Sequence, residues 1–164
     1  MALAKKENFQ SRDPLIAIVI SVILASVFMV YPVSYFLSGW RPMFMLLVMF
    51  FWVMCQPAWC GVWFAFLVGI FTDLLMEYPL GLNAMSFVMI AFFARFFTRE
   101  RRVMTETNLW IITVIAVAFH LLLMWLLLVM TGNEMSLVRH WQTLLSSSLL
   151  WPVVYWGLKK WRAV

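Results

Sequence analysis

The sequence predicts an all-α membrane protein with six transmembrane helices, and three observations support this. Hydrophobic residues make up 65% of the 164 positions and charged residues only 12%, whereas a soluble domain carries about 25% charged residues. Three long runs contain no charge, at residues 14–40, 42–72 and 107–133. About 20 apolar residues cross the hydrocarbon core of a bilayer, so the chain has room for several spans but none for a separate soluble domain.

The first span is predicted over residues 15–37. It follows a basic stretch that resembles the start of a signal peptide and carries Lys5, Lys6 and Arg12. The apolar run is longer than the roughly 7 to 15 residues of a signal-peptide core. We therefore expect an uncleaved transmembrane helix.

The second span is predicted over residues 39–56, although its charge-free part covers only residues 43–55. That part rises about 20 Å as a helix, so the span needs Arg41 at one end to reach for the interface. A tight turn at Gln56-Pro57-Ala58 then leads into the third span, residues 59–76. If this turn does not form, a re-entrant pair is the alternative.

The third span contains small residues four positions apart, at Gly61, Ala65 and Gly69. Such a row lies on one face of a helix and lets two helix backbones approach closely in lipid. We expect this face to pack closely against another helix and to offer this packing to a partner protein, although a chance arrangement of small residues is the alternative.

Three further spans complete the predicted membrane domain of residues 1–164, at residues 82–97, 109–130 and 141–158. Polar loops at residues 98–108 and 131–140 separate them. With six spans, one side of the membrane carries ten basic residues: Lys5, Lys6, Arg12, Arg95, Arg99, Arg101, Arg102, Lys159, Lys160 and Arg162. The other side carries two, Arg41 and Arg139. Because basic loops stay in the cytoplasm, we expect both termini to be cytoplasmic.

Asp73 is the only carboxylate inside an apolar stretch, within Val68–Ala84. An ionisable group at the bilayer centre costs about 2.5 to 3.5 kcal/mol, so Asp73 should have a compensating partner. Helical rise places it about 22 Å from the inner surface, level with Arg41. One interpretation is an Asp73–Arg41 pair. The other is that Asp73 caps the turn at Pro79 or reaches interfacial water.

The sequence predicts no catalytic, metal or cofactor site. His120 and His140 lack the spacing of a metalloprotease motif, and paired acids of an intramembrane protease are also missing. His120 could meet Asp73 in a proton relay, or it could be a neutral side chain hydrogen-bonded to a neighbouring helix. Cys55 and Cys60 fall on the cytoplasmic side, where a disulfide is disfavoured.

Several short motifs occur in a characteristic order along nearly the whole chain. They are Trp40-Arg41-Pro42, Pro57, Gly69 with Asp73, Pro79-Leu80-Gly81 and Leu150-Trp151-Pro152. Their order and spacing, together with six predicted spans, resemble the rod shape-determining protein MreD family.

This resemblance implies a multi-pass protein of the bacterial cytoplasmic membrane that takes part in side-wall peptidoglycan synthesis during cell elongation. It implies a single-span MreC-like partner and, through that partner, the RodA glycosyltransferase, a class B penicillin-binding protein and the actin-like MreB. It further implies a fold similar to the substrate-binding S-components of vitamin transporters.

Two functions fit the residues. The first is a non-enzymatic membrane adaptor that binds partner proteins, and the second is a small-molecule-binding subunit of a transporter. The second would need several polar side chains at one end of the helices, where the sequence offers chiefly Asp73, Asn83 and Arg41. The residues expected to serve structure or partner binding are Arg41, Pro42, Gly61, Ala65, Gly69, Asp73, Pro79, Leu80, Gly81, Trp151 and Pro152.

Overall fold

The computed structural model describes residues 14–31, 40–57, 59–99, 106–130 and 137–163. These residues form six α-helices and no strand, which confirms the predicted all-α class and helix count. The helices are α1 (Pro14–Val30), α2 (Phe44–Cys55), α3 (Val62–Met76), α4 (Leu82–Arg99), α5 (Glu106–Met130) and α6 (Leu137–Ala163).

Helix α2 forms the centre of the molecule. Every residue from Met45 to Met54 is buried, and α2 contacts all five other helices. A helix that is apolar all round can bury every face, so the uniform hydrophobicity of this short segment is compatible with its central position.

Hydrogen bonds and aromatic contacts fix α2 within the bundle. The Trp52 indole donates a hydrogen bond of 2.8 Å to the Ser21 hydroxyl of α1. The backbone N–H of Met43 donates to the Ser147 hydroxyl of α6, which provides a partner for a donor at the start of α2. Trp151 of α6 packs against Phe50, with ring centroids 5.6 Å apart. The predicted site residue Trp151 is therefore a core residue.

The five helices around α2 expose large apolar side chains, which is the reverse of the pattern in a water-soluble protein. On α1, Ile16, Val19 and Ile23 are each more than half exposed, and α3 to α6 carry similar exposed residues. Apolar patches of this extent mark surfaces that contact lipid or protein rather than water.

The helix ends differ from the predicted spans. By length and composition, α5, over Thr107–Met130, is the one described helix that could cross a membrane, while α1 to α4 are shorter apolar helices. Helix α2 has 12 residues instead of the predicted 18-residue span. Helix α6 extends beyond its predicted span at both ends, because polar residues continue a helix beyond its apolar part.

Parts of the predictions lie outside the described residues. These are the N-terminal basic stretch, residues 32–39 at the end of the first predicted span, and much of the two polar loops. The predicted turn between the second and third spans does form. The backbone N–H groups of Trp59 and Cys60 both donate to the Gln56 carbonyl.

Candidate functional site: the turn between α3 and α4

The turn that joins α3 to α4, residues 77–81, has a backbone conformation set at both of its ends. Glu77 closes α3 in the left-handed region with a φ of 55°, and Gly81 has a φ of 105°. The left-handed region disfavours side chains with a Cβ atom, and glycine adopts it freely. Gly81, the last residue of the Pro79-Leu80-Gly81 motif, therefore suits the position directly before α4.

Asp73 ties the two helix ends together. Its backbone carbonyl accepts hydrogen bonds from the N–H groups of Glu77 and Tyr78, which complete the end of α3. Its side chain is fully buried and points at the start of α4. Oδ1 accepts from the backbone N–H and the side-chain amide of Asn83, at 2.9 and 2.8 Å. Oδ2 accepts from the N–H groups of Gly81 at 2.9 Å and Ala84 at 3.4 Å.

This arrangement is a helix cap supplied by a neighbouring helix. The first backbone N–H groups of a helix have no partner within it, and a carboxylate there also interacts favourably with the helix dipole. The local sequence of α4 offers no capping side chain, because residues 79–81 are Pro, Leu and Gly. Asp73 supplies the missing acceptor from α3, and these contacts compensate for burying its carboxylate.

A polar network extends from this cap into the helix bundle, and we define it as Asp73, Asn83, Ser86 and His120. The Ser86 hydroxyl donates to the Asn83 carbonyl at 3.0 Å and lies 2.8 Å from Nδ1 of His120 on α5. All four residues are at least 96% buried. His120 thus bonds to the neighbouring helix α4 rather than directly to Asp73, as the second interpretation of this histidine predicts.

Gly69 allows the capped end of α4 to lie directly against α3. A Cβ atom added at Gly69 would come within 2.3 Å of the Ala84 Cα and 2.7 Å of its backbone nitrogen. Ala65 is completely buried, and a Cβ atom at Gly61 would come within 2.7 Å of the Arg95 guanidinium of α4. The small-residue row of Gly61, Ala65 and Gly69 therefore packs within the chain. The expectation that this row offers a free face to a partner is wrong.

Arg41 and Asp73 have separate partners. The Arg41 guanidinium donates to the backbone carbonyl of Tyr31, and its Nε atom is buried without a hydrogen-bond partner. The four acceptor contacts of Asp73 all go to residues 81–84. These contacts favour the capping interpretation of Asp73 over an Asp73–Arg41 pair.

Separate partners predict additive effects of mutation. Asp73→Asn removes part of the α4 cap and Arg41→Gln removes the bond to Tyr31, so the double variant should lose stability equal to the two single losses within about 0.5 kcal/mol. Thermal or denaturant unfolding in detergent measures this. A double variant no less stable than the worse single variant would instead show that the two side chains act as a pair.

The remaining predicted residues lie in different places. Leu80 is 70% exposed at the tip of the α3–α4 turn, beside an exposed Pro79. Pro42 is half-buried before α2, and Pro152 is exposed on α6. The structure thus brings Gly69, Asp73 and the Pro79-Leu80-Gly81 turn together, while the other residues belong elsewhere.

Sequence reasoning missed Ser86, which links Asn83 to His120. The available signal was the three-residue spacing of Asn83 and Ser86, which places both on one face of α4. Among the described residues, no group of three or more His, Cys, Asp or Glu side chains could hold a metal ion. Neither Cys55 nor Cys60 is part of a disulfide in the described part of the chain.

Comparison with known proteins gives a consistent result over nearly the whole chain. The family model described as rod shape-determining protein MreD matches residues 12–161. A curated protein of that name from Haemophilus influenzae is 26% identical over 127 residues, covering 73% of this chain and 74% of the relative. No solved structure matches the chain, so the expected similarity to transporter S-components stays a prediction.

Proposed function

The chain belongs to the MreD family of rod shape-determining proteins, and from this premise we propose that it is a non-enzymatic adaptor of the cell-elongation machinery. A role in rod shape determination follows from family membership. The finer proposal is that the protein binds an MreC-like single-span protein in the bacterial cytoplasmic membrane. Through that partner it acts with RodA, a class B penicillin-binding protein and MreB.

The observation that carries this proposal is the exposed tip of the α3–α4 turn. Leu80 is 70% exposed, yet the backbone on both sides of it is held by the buried Asp73 carboxylate and carbonyl. A contact residue that is already fixed loses little conformational entropy when it binds. An apolar side chain presented in this way is suited to enter a pocket on a partner.

The polar groups near this turn support an adaptor over the alternative of a solute-binding transport subunit. Asp73 and Asn83 bond to each other and to the start of α4, and Arg41 bonds to Tyr31. A solute site needs polar groups that converge on a shared cavity, whereas these groups bind within the protein.

We further propose that all six helices lie in the membrane with both termini in the cytoplasm. The basic residues are divided ten to two between the two sides, and the five outer helices expose apolar side chains. The shortness of α2, about 18 Å at helical rise, is compatible with this arrangement. Non-helical backbone is tolerated at membrane depth where protein surrounds it, and α2 is enclosed by the other helices.

Single cysteines test this topology in a background that lacks Cys55 and Cys60. A cysteine at Glu77, which is exposed in the α3–α4 turn, and one at Asn133 should react with an impermeant thiol reagent added to intact cells. A cysteine at Arg101 should react only after the membrane is opened. Labelling of Arg101→Cys in intact cells would overturn the six-span arrangement.

Depletion and a single substitution test the adaptor function. Loss of the protein should make a rod-shaped host round while its purified wall synthases keep their enzymatic activity. Leu80→Ser should reduce co-purification of the MreC-like partner severalfold at an unchanged level of the variant, because Leu80 contributes little to the core.

The matched control is Met130→Ser at the end of α5, where Met130 is 78% exposed and, in the proposed topology, faces the same side of the membrane. This variant should retain the partner. Rod shape in depleted cells would refute the function, and full retention of the partner by Leu80→Ser would refute the role of the turn.

A further inference from the structure

An apolar cleft of about 230 Å³ lies between α4 and α5, and we define it as the α4–α5 cleft. Its eight lining residues are all apolar. Phe50 of α2, Ile90 and Ala94 of α4, and Ala116 of α5 are buried in its wall, while Phe93 and Ile115 are exposed at its rim. The cleft therefore opens onto the apolar surface of the protein.

Small side chains on both facing helices produce this cleft. Ala94 on α4 and Ala116 on α5 contribute only a methyl group each where bulkier residues would fill the space. Phe93 and Phe119 meet edge to face with ring centroids 5.8 Å apart, so an aromatic pair joins the two helices beside it. Apolar cavities of about 150 Å³ stay dry and bind molecules such as benzene, and this cleft is larger.

We propose that the α4–α5 cleft binds one acyl chain of an anionic phospholipid. A helix with its side chains is about 10 Å wide, so one turn of a helix exceeds the cleft volume of about 230 Å³, whereas part of a single hydrocarbon chain does not. The lining offers no hydrogen-bonding side chain, so a polar ligand would lose its hydration without compensation. The medium that surrounds this surface in a membrane is itself hydrocarbon.

The charge of the connecting segment identifies the headgroup. Two of the three lining residues on α4, Phe93 and Ala94, lie in the second half of that helix. Three of the four lining residues on α5 lie in its first half. The cleft therefore lies toward the end where the chain passes from one helix to the other. The sequence there reads Arg-Glu-Arg-Arg at residues 99–102. Basic residues beside a membrane attract anionic lipids, so phosphatidylglycerol should bind better than phosphatidylcholine. This choice of headgroup rests on the proposed membrane location, while the choice of an acyl chain rests on the cleft.

The amount of lipid that the purified protein retains tests directly whether the α4–α5 cleft binds a phospholipid. The purified protein is stripped of lipid in detergent, incubated with dioleoyl phosphatidylglycerol or dioleoyl phosphatidylcholine, and analysed by native mass spectrometry. We expect one retained phosphatidylglycerol and at least tenfold lower occupancy by phosphatidylcholine. Ala94→Leu and Ala116→Leu fill the cleft and should each reduce phosphatidylglycerol occupancy at least tenfold. The control Gly157→Leu adds the same side chain where an added Cβ atom would meet no atom within 4 Å outside its own stretch of helix, and it should retain the lipid.

A second measurement, photolabelling of the wild-type protein, tests the site even if the filled variants fail to fold. Phosphatidylglycerol with a photoreactive group in the middle of one acyl chain should label peptides of α4 and α5 in the wild-type protein. Three outcomes would each overturn the acyl-chain site. The first is equal lipid retention by the filled variants and the wild type, and the second is labelling spread evenly over the outer helices. The third is a cleft closed by a second copy of the chain. Equal retention of the two lipids would overturn the anionic headgroup. These outcomes are independent of cell shape and of partner binding, so the adaptor function and the lipid site can fail separately.

Discussion

Asp73→Ala should be among the most destabilising substitutions in the protein. It leaves four donors at the start of α4 without their acceptor: the N–H groups of Gly81, Asn83 and Ala84, and the Asn83 amide. A buried donor left unsatisfied costs about 1 to 3 kcal/mol. The variant should therefore unfold at a markedly lower denaturant concentration or temperature than the wild type, and its level in membranes should fall.

Two variants calibrate this effect. Asp73→Asn retains one oxygen acceptor and should be less destabilising than Asp73→Ala. Ser86→Ala removes one bond between helices, and such bonds in membrane proteins average about 0.6 kcal/mol, so it should have a small effect. If Asp73→Ala were no more destabilising than Ser86→Ala, the cap would not hold the turn as described.

Gly69→Ala should separate α3 from α4. The added methyl group would lie 2.3 Å from the Ala84 Cα, and a backbone atom cannot move aside as the end of a side chain can. The two helices must shift, which disturbs the bonds between Asp73 and the first turn of α4. We expect the free energy of unfolding to fall by about 1 to 3 kcal/mol or more, as in other overpacked cores. Unfolding in detergent measures this loss.

A second substitution at Ala84 tests whether the contact with Gly69 is made by the backbone. Ala84→Gly combined with Gly69→Ala should not restore stability, because the closest atoms to the added methyl group are the Cα and backbone nitrogen of residue 84 rather than its side chain. Gly157→Ala serves as the matched control, since Gly157 is exposed and an added Cβ atom would meet no atom within 4 Å outside its own stretch of helix. It should be neutral or raise stability through better helix propensity. Restoration by Ala84→Gly would contradict the backbone contact.

Hydropathy predicted six helices because each apolar segment must satisfy its own backbone in hydrocarbon. It did not predict that α2 is the centre, because lipid and protein interior select the same apolar side chains. The same limitation led to the wrong expectation for the small-residue row. Close packing was predicted at Gly69, but the sequence could not show that the facing helix is α4 of the same chain.

The partner of Asp73 was harder to predict for a different reason. An acidic side chain in an apolar segment suggests a basic partner, and Arg41 was the available one at similar depth. The actual partners are mostly backbone N–H groups, which every residue has and which sequence reasoning cannot distinguish. The absence of a capping residue at positions 79–81 was a usable signal, because a helix start without its own cap requires an acceptor from elsewhere.

The central position of α2 has a consequence for biogenesis. Ser147 of α6, which accepts the hydrogen bond from Met43, is 104 positions further along the chain. Trp151, also on α6, packs on Phe50 of α2. During synthesis α2 therefore leaves the insertion machinery long before α6 exists to cover it, and one side of it must face lipid or a chaperone in the meantime. A chain truncated before α6 would keep its hydrophobic segments and still lack a closed core. Membrane proteases that survey unassembled helices could distinguish the finished protein from the incomplete one by this exposed side of α2.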